Sequence, residues 1–512
     1  MIAHTGKTRR RRILPSRETK WTLLFLALGL GGLLVLYSRP PVSNQSPQLD
    51  RVLARGELVV ATRNGPTSYY IGPHGEAGFE YDLAGEFARH LGVKLRMQRV
   101  HHLSELFGAV RLNMADFAAA GITATEEREQ FVRFGPAYKQ AAPIVVYRAD
   151  QTAPRSVSDL LKMRLVILAS SSYEQLIEQI KLQRLPDLTW DTSHHADIES
   201  VLERIESGQY QATIIDSNVF QLHRRFYPNL RGGLELGESQ PLAWAFPPGD
   251  DDSLIEAAEQ FFEKIVLDGT LERLERHYYG MVDEFAQVET LEFIRNIDDR
   301  LPPLIPEFRA AANKTGVNWT LLAAIGYQES HWQPDAVSPT GVRGLMMLTQ
   351  ATAAQMGVDD RLDPAQSIEG GARYFLRMRQ RLPDRIQDPD RTWLALAAYN
   401  IGYGHLEDAR ILTQRAGMDP DRWDDVALHL PLLSKPEFYR TVRHGYARGR
   451  EPVRYVENIR SYQDILVWTL RRNPSLAATW GVSWRSPARA SDDQAEVDPA
   501  PPVDDQTATV EN

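Results

Sequence analysis

Apolar positions along this chain follow two different periods, and the change between them divides the sequence. In the first half, short apolar and β-branched runs recur at residues 58–62, 115–121, 144–147, 165–168 and 212–215, with helically spaced stretches such as residues 81–91 between them. Strand-length runs alternating with helical segments predict an α/β unit on a largely parallel sheet. That region closes on a long amphipathic pattern over residues 252–279. From about residue 291 the strand pattern stops. Residues 306–315, 318–331, 349–356, 367–381, 392–400 and 455–470 show helical periodicity instead, which predicts a mainly helical globule.

The two ends differ from both halves. Arg9 to Arg12, Arg17 and Lys20 precede an uncharged, Leu- and Gly-rich stretch over residues 21–37. As a helix it is about 26 Å long, near the lower limit for spanning a bilayer. Its basic flank stays cytoplasmic, so the rest of the chain is expected to be exported. No small-x-small cleavage site follows, and both an uncleaved anchor and a secretory signal fit. The last residues, 486–512, combine prolines with acidic residues, bury almost nothing and are expected to be disordered. The expected division is therefore 1–37 signal or anchor, 38–50 linker, 51–281 α/β domain, 282–485 helical domain and 486–512 tail.

Composition narrows the chemistry. A net charge of -9 argues against nucleic acid as a partner, and the absence of cysteine removes disulfides, thiolate catalysis, iron–sulfur clusters and cysteine zinc sites. His101-His102 and His194-His195 are adjacent pairs whose side chains diverge, so no metal site and no cofactor is expected.

The most informative group is a carboxylate. Leu322, Ile325, Glu329 and Trp332 fall at i, i+3, i+7 and i+10, which puts Glu329 in line with an apolar stripe. A desolvated carboxylate has a raised pKa, holds a proton near neutrality and can donate it to a leaving group. On this segment alone, a buried Glu paired to an Arg or a helix terminus fits equally well. Further on, Ser338-Pro-Thr-Gly341 reads as a turn, Gly344 permits close backbone approach, and residues 394–400 read as a small-residue helix ending at Asn400 and Gly402.

Taken in order, Glu329-Ser330, Ser338-x-x-Gly341-x-x-Gly344-Leu345-Met346, Ala398-Tyr399-Asn400-x-Gly402-x-Gly404 and Arg454-Tyr455-Val456 resemble the soluble lytic transglycosylase domain of the lysozyme-like superfamily. Most of that family has Gln after Gly-Leu-Met. Met347 stands there in this chain, as in the membrane-bound F type, and any amide contact made by that position is lost. The resemblance implies Glu329 as the sole catalytic acid and base. It implies Ser338, Met346, Tyr399, Asn400 and Tyr455 as residues shaping a cleft for peptidoglycan glycan strands. The implied reaction cuts the bond between N-acetylmuramic acid and N-acetylglucosamine with closure of a 1,6-anhydro ring. A muramidase that adds water, or a non-catalytic wall-binding sensor, are the alternatives. Asp335, Asp359 and Asp360 lie close in sequence and read as surface or capping residues.

In the first half, Gly78-Phe-Glu-Tyr-Asp-Leu-Ala84, the run Gly121-Ile-Thr-Ala-Thr-Glu-Glu-Arg128 and Phe134-Gly-Pro-Ala-Tyr138 resemble the periplasmic solute-binding proteins that capture polar amino acids. This implies two lobes around a ligand held by Thr123, Arg128 and Asp216, with the Arg128 guanidinium clamping an α-carboxylate. The plainer reading is that Arg128 caps a helix and Asp216 ends a strand. A muropeptide or an amino acid is the expected ligand. The expected fold is thus multidomain: an α/β two-lobed periplasmic binding protein-like domain followed by a mainly α lysozyme-like domain. By the same resemblance the protein is periplasmic and membrane-associated, peripheral on the inner face of the outer membrane or held by its N-terminal segment.

Overall fold

The computed structural model describes residues 46–72, 75–194, 197–279, 286–338 and 341–481. The N-terminal apolar segment, most of the linker, the expected boundary at 281/282 and the acidic tail lie outside the described residues.

The first half forms two lobes. In lobe one, β1 (Glu57–Thr62) pairs in parallel with β2 (Lys94–Arg99) and β3 (Phe117–Ala118). The sheet is completed by β10 (Gln240–Phe246), antiparallel to both its neighbours, and beyond it by β4 (Arg133–Ala141), in the order β2-β1-β3-β10-β4. Lobe two holds β5 (Pro143–Arg148) between β8 (Ala212–Asp216) and β9 (Leu230–Glu235), both antiparallel to it. The pair β6 (Val166–Leu168) and β7 (Asp191–Ser193) is parallel.

The largely parallel sheet expected from sequence is found in lobe one, where β1, β2, β3 and β4 run one way and β10 runs against them; in lobe two β5 runs against β8 and β9. Connectivity accounts for the opposed strand in each lobe. Only Ala142 separates β4 from β5, and a short link joins β9 to β10, so the chain crosses between lobes twice, and the strand that enters each lobe, β5 or β10, runs against its neighbours there. Two crossing segments side by side make a hinge geometry. Strand β2, Lys-Leu-Arg-Met-Gln-Arg, lies at a sheet edge and alternates rather than running apolar, which hid it from a search for apolar runs. The amphipathic stretch at 252–279 is two helices, α2 (Ser253–Leu267) and α3 (Thr270–Tyr279), broken at Gly269, whose φ of 74° suits glycine.

Helix α1 (Phe79–Leu91) carries Glu80 into the core of lobe one, with no solvent exposure. Its carboxylate accepts from the Gly121 amide at 2.8 Å, from Trp244 Nε1 at 2.9 Å and from the Tyr138 hydroxyl. The turn that carries Thr123 is thereby tied to the sheet.

The second half is helical, from α4 (Ala286–Asp299) and α5 (Ile305–Thr315) onward. At its centre lies α6 (Trp319–Ser330), whose residues Leu321, Leu322, Ala323, Ala324, Ile325, Gly326 and Tyr327 are all buried. A helix apolar on every side belongs inside a core, and this one packs against α5 and against α9 (Arg450–Arg472). Asn318 caps its start, accepting from the Thr320 amide at 2.9 Å, and His331 ends it in the left-handed region at φ 53°. Around this pair stand α7 (Pro364–Arg381) and α8 (Asp390–Ile401).

The two halves touch along α9. Trp468 stacks on Phe226 and meets Tyr227 edge-on, both with ring centroids 5.3 Å away. Arg472 pairs with Glu203 at 2.8 Å and Asp464 with Arg225 at 3.4 Å.

Candidate active site

Glu329 sits in the last turn of α6, where the buried helix reaches the edge of the core. It is half-buried, and its carboxylate accepts one side-chain hydrogen bond, from the Tyr455 hydroxyl at 2.6 Å. Desolvation pushes its pKa up to about 7, and the bond from Tyr455 pulls in the opposite direction. The carbonyl end of the helix dipole also disfavours the anion there. The group is therefore poised to give up a proton near neutral pH and to take one back.

A second carboxylate with a raised pKa exists in this half, Glu457, pushed to about 7 by burial with Arg460 opposing. It lies two residues from Tyr455 on α9, so it leaves the helix on the opposite side from the group that reaches Glu329. Asp335, Asp359 and Asp360 are exposed, as expected of surface residues.

The other residues expected at the site divide into groups. Tyr399 and Tyr455 stack with centroids 6.3 Å apart and planes at 15°, and the Tyr399 hydroxyl donates to the Met346 carbonyl at 3.1 Å. Burial and the nearby Glu329 charge raise both phenols well above their ordinary range. Asn400, at the end of α8, is exposed. The Met346 side chain is fully buried against Gly326 and Gly371, so it reaches the site through its carbonyl. Ser338 Oγ accepts from the Val342 amide at 3.0 Å and shapes the loop leading to Gly344. At Gly344, φ is +82° and an added Cβ would lie 1.7 Å from the Arg361 carbonyl, which accounts for glycine there.

Ser330 is a residue the motif gave no role. Its hydroxyl lies 2.8 Å from the Leu345 carbonyl and 3.1 Å from that of Gly326. It stitches the end of α6 to the Gly344-Leu-Met turn and so fixes the turn of helix that carries Glu329.

In the first half, Arg128 is buried, donates to the Thr123 carbonyl at 2.9 Å and lies 5.4 Å from the Phe107 ring centroid. Asp216 is buried at the end of β8 and accepts from the Tyr173 hydroxyl at 2.8 Å. Burial raises its pKa to about 6 against the pull of Tyr173 and Arg128. Thr123 Oγ1 and Ser172 Oγ approach to 3.4 Å from opposite lobes. Thr123, Arg128, Ser172 and Tyr173 line one cavity of about 80 Å³, together with Arg63. Sequence reasoning missed Tyr173, Ser172 and Arg63. The Ser170-Ser171-Ser172 run before a helical stretch was the available signal for the second-lobe contribution.

Comparison with known proteins agrees with this division. Residues 58–281 match the family of bacterial extracellular solute-binding proteins, family 3, and residues 306–419 match the transglycosylase SLT domain. A membrane-bound lytic murein transglycosylase F of Ectopseudomonas mendocina is 45% identical over 432 residues, covering 84% of this chain and 88% of the relative. One from Hahella chejuensis is 46% identical over 82% of this chain and 83% of its own length. Another, from Alkalilimnicola ehrlichii, is 48% identical over 82% and 85%. The chain belongs to the membrane-bound lytic murein transglycosylase F family. Among solved structures, an ancestral arginine-binding protein bound to arginine aligns at 23% identity over 44% of this chain and 99% of its own, with a TM-score of 0.41.

Membership in the transglycosylase F family makes the chain an enzyme and accounts for the pairing of a two-lobed domain with a helical one. Met347 is half-buried with φ 45°, and its amide donates to the Gly344 carbonyl at 2.9 Å.

Proposed function

We propose that this protein cleaves the β-1,4 bond between N-acetylmuramic acid and N-acetylglucosamine in peptidoglycan, with Glu329 as its only acid and base. The single observation that carries the assignment is the Glu329 carboxylate, half-buried, held by one phenol and shifted to a pKa of about 7. In the first step Glu329 gives its proton to the glycosidic oxygen as the bond to the muramic C1 breaks. In the second, the muramic C6 hydroxyl adds to C1 and its proton passes to Glu329, which leaves a 1,6-anhydro ring and restores the acid. Glycosidases that use water or a carboxylate nucleophile need two carboxyl groups. An internal hydroxyl replaces the second group, and its tethering supplies the effective concentration. Tyr455 and Tyr399 are assigned to holding Glu329 and walling the sugar cleft, with Ser338, Met346 and Asn400 around them.

The first domain is assigned to binding a small carboxylate-bearing ligand, an amino acid or a muropeptide, between Arg128 and Asp216. Its occupancy is read as adjusting cleavage through α9, which presents Tyr455 to Glu329 at one end and Trp468 and Arg472 to the first domain at the other. The protein is placed at the envelope. Among the described residues no helix is long and apolar enough to cross a membrane, so attachment is assigned to the apolar stretch at 21–37 or to peripheral contact at the inner face of the outer membrane.

The test is mass spectrometry of soluble products from peptidoglycan, with Glu329→Gln alongside. Products ending in 1,6-anhydro-muramic acid that disappear in the variant are expected. Reducing-end products would make the enzyme a hydrolase and overturn the assignment.

A further inference from the structure

Residues 433–447 of the helical half form a closed loop, because the Ala447 amide donates to the Leu433 carbonyl at 3.0 Å and ties the two ends together. On its outgoing arm a single helical turn, Pro436–Tyr439, is followed by the Thr441 hydroxyl, which donates to the Phe438 carbonyl at 2.7 Å. Two outside groups fix the returning arm. Buried Asp408, on the helix Tyr403–Arg415, accepts from the amides of Arg443 at 3.2 Å and His444 at 2.7 Å. From the same helix, Arg415 donates to the Thr441 carbonyl at 3.1 Å. The rings of Tyr439 and Tyr446 meet edge-on across the loop with centroids 5.7 Å apart. A loop closed at its ends and pinned along its backbone presents a fixed surface.

What it presents is cationic. Lys435, Arg440, Arg443, Arg448 and Arg450 stand here against Glu437 alone, in a chain whose net charge is -9. All five are exposed. Arg448 pairs with Glu451 at 3.3 Å, whereas Lys435, Arg440, Arg443 and Arg450 have no ion pair among the described residues. Like charges held together without partners repel one another, and an anionic surface relieves that repulsion. Tyr446 is 58% exposed among them. The cavity of about 320 Å³ that Asn400 and Tyr455 line has none of these side chains in its wall, so the strip lies outside the candidate active site. It also lies at the N-terminal end of α9, about 27 Å along that helix from Trp468 and the first domain.

We propose that this loop docks on an anionic phospholipid bilayer, with Lys435, Arg440 and Arg443 on the headgroup phosphates and the Tyr446 ring at headgroup level. A guanidinium matches phosphate as a bidentate fork. An exposed phenol joins an apolar ring to a polar tip, the combination that settles at a membrane–water interface. A glycan strand offers no such plane of phosphates, which makes it the poorer fit to a strip of unpaired cations. The assignment rests on the envelope placement proposed above and gives its peripheral contact named residues. It sets the helical half against the bilayer and the first domain at the other end of α9.

The experiment measures co-sedimentation of the full chain with vesicles of phosphatidylcholine alone and of phosphatidylcholine mixed with phosphatidylglycerol. Beside it runs the full chain carrying Lys435→Ala, Arg440→Ala and Arg443→Ala together. These side chains are exposed and unpaired, so the triple variant is expected to fold, and an unaltered melting transition checks that. Binding to the neutral vesicles reports the apolar stretch at 21–37 and should be the same for both proteins. On the anionic vesicles the variant should bind about 10²-fold more weakly, about fivefold for each cation removed, and the unaltered protein should lose that advantage as salt rises. Anionic-vesicle binding that survives the triple change would place the contact elsewhere and overturn the proposal. Loss confined to binding of isolated peptidoglycan would make the loop a wall grip and overturn it as well. A chain that binds neither vesicle would overturn both this contact and the membrane part of the envelope placement, while cleavage by Glu329 keeps its own test.

Discussion

Replacing Glu329 by Gln should destroy activity and stabilise the fold, and the second effect has a definite pH signature. The carboxyl titrates at about 7 in the folded protein against an ordinary value of 4.5. Between those values the native state keeps a proton that the unfolded chain has already lost. Stability therefore falls as pH rises through that window, and it stays low above it. The difference of 2.5 units corresponds to a ceiling of about 3 kcal/mol at about 1.4 kcal/mol per unit, reduced by the partial exposure of the side chain. Gln has no charge to desolvate and can accept the same bond from Tyr455, so it removes the penalty without changing shape. The variant should melt above the unaltered protein at about pH 8, by about 2–4 °C for each kcal/mol, and the gap should close by about pH 4. Scanning calorimetry across that range measures it. Cleavage should drop by at least about 10²-fold, the usual worth of a general acid. A melting difference independent of pH, or none at all, would show that Glu329 is not desolvated and would remove the physical basis for its role.

Tyr455→Phe deletes the hydroxyl that holds the Glu329 pKa down, so the alkaline limb of the pH–rate profile should move to higher pH while kcat falls. Pre-steady-state or initial-rate profiles between pH 5 and about 9 report the shift. Gly344→Ala places a Cβ 1.7 Å from the Arg361 carbonyl at a φ of +82° and should destabilise the helical half by at least about 2 kcal/mol, visible as a lowered melting transition. Arg128→Ala should abolish calorimetric binding of carboxylate-bearing ligands to the first domain while leaving basal cleavage of peptidoglycan intact. Trp468→Ala should leave that ligand binding in place and reduce its effect on cleavage, measured as the ratio of rates with and without ligand.

The helical half was legible in the sequence because its elements are long and their apolar period is unambiguous. Residues 367–381 and 392–400 fall within α7 and α8, and Glu329 takes the position that its place on the stripe requires. What the period could not show is that α6 is buried on every face, since small residues such as Ala323, Ala324 and Gly326 read as neutral in a pattern and become core only when α9 covers them. Strand direction in the first half was hidden for a related reason. Parallel and antiparallel strands share the same local spacing, and only the double crossing between lobes decides which neighbour each receives. Tyr173 and Ser172 escaped notice because they act across the cleft from Arg128, a relation that sequence distance conceals. Motif order pointed to Tyr455, which donates to Glu329, and geometry alone found the group that fixes the turn carrying Glu329, the Ser330 hydroxyl.

That distinction bears on how one carboxylate can serve a two-step reaction. A lone acid must be exact in position at both steps, since no second group corrects it. Glu329 meets this through three independent constraints: the central helix that carries it, the Ser330 stitch to the Gly344 turn, and the phenol of Tyr455. Two of them belong to the helical core. The third arrives on α9, whose far end is clamped by Phe226, Tyr227 and Glu203 of the first domain. Under the proposed coupling, a movement of the first domain would act on the one constraint that also lowers the Glu329 pKa against burial, so seating and acidity of that carboxylate would change together rather than separately.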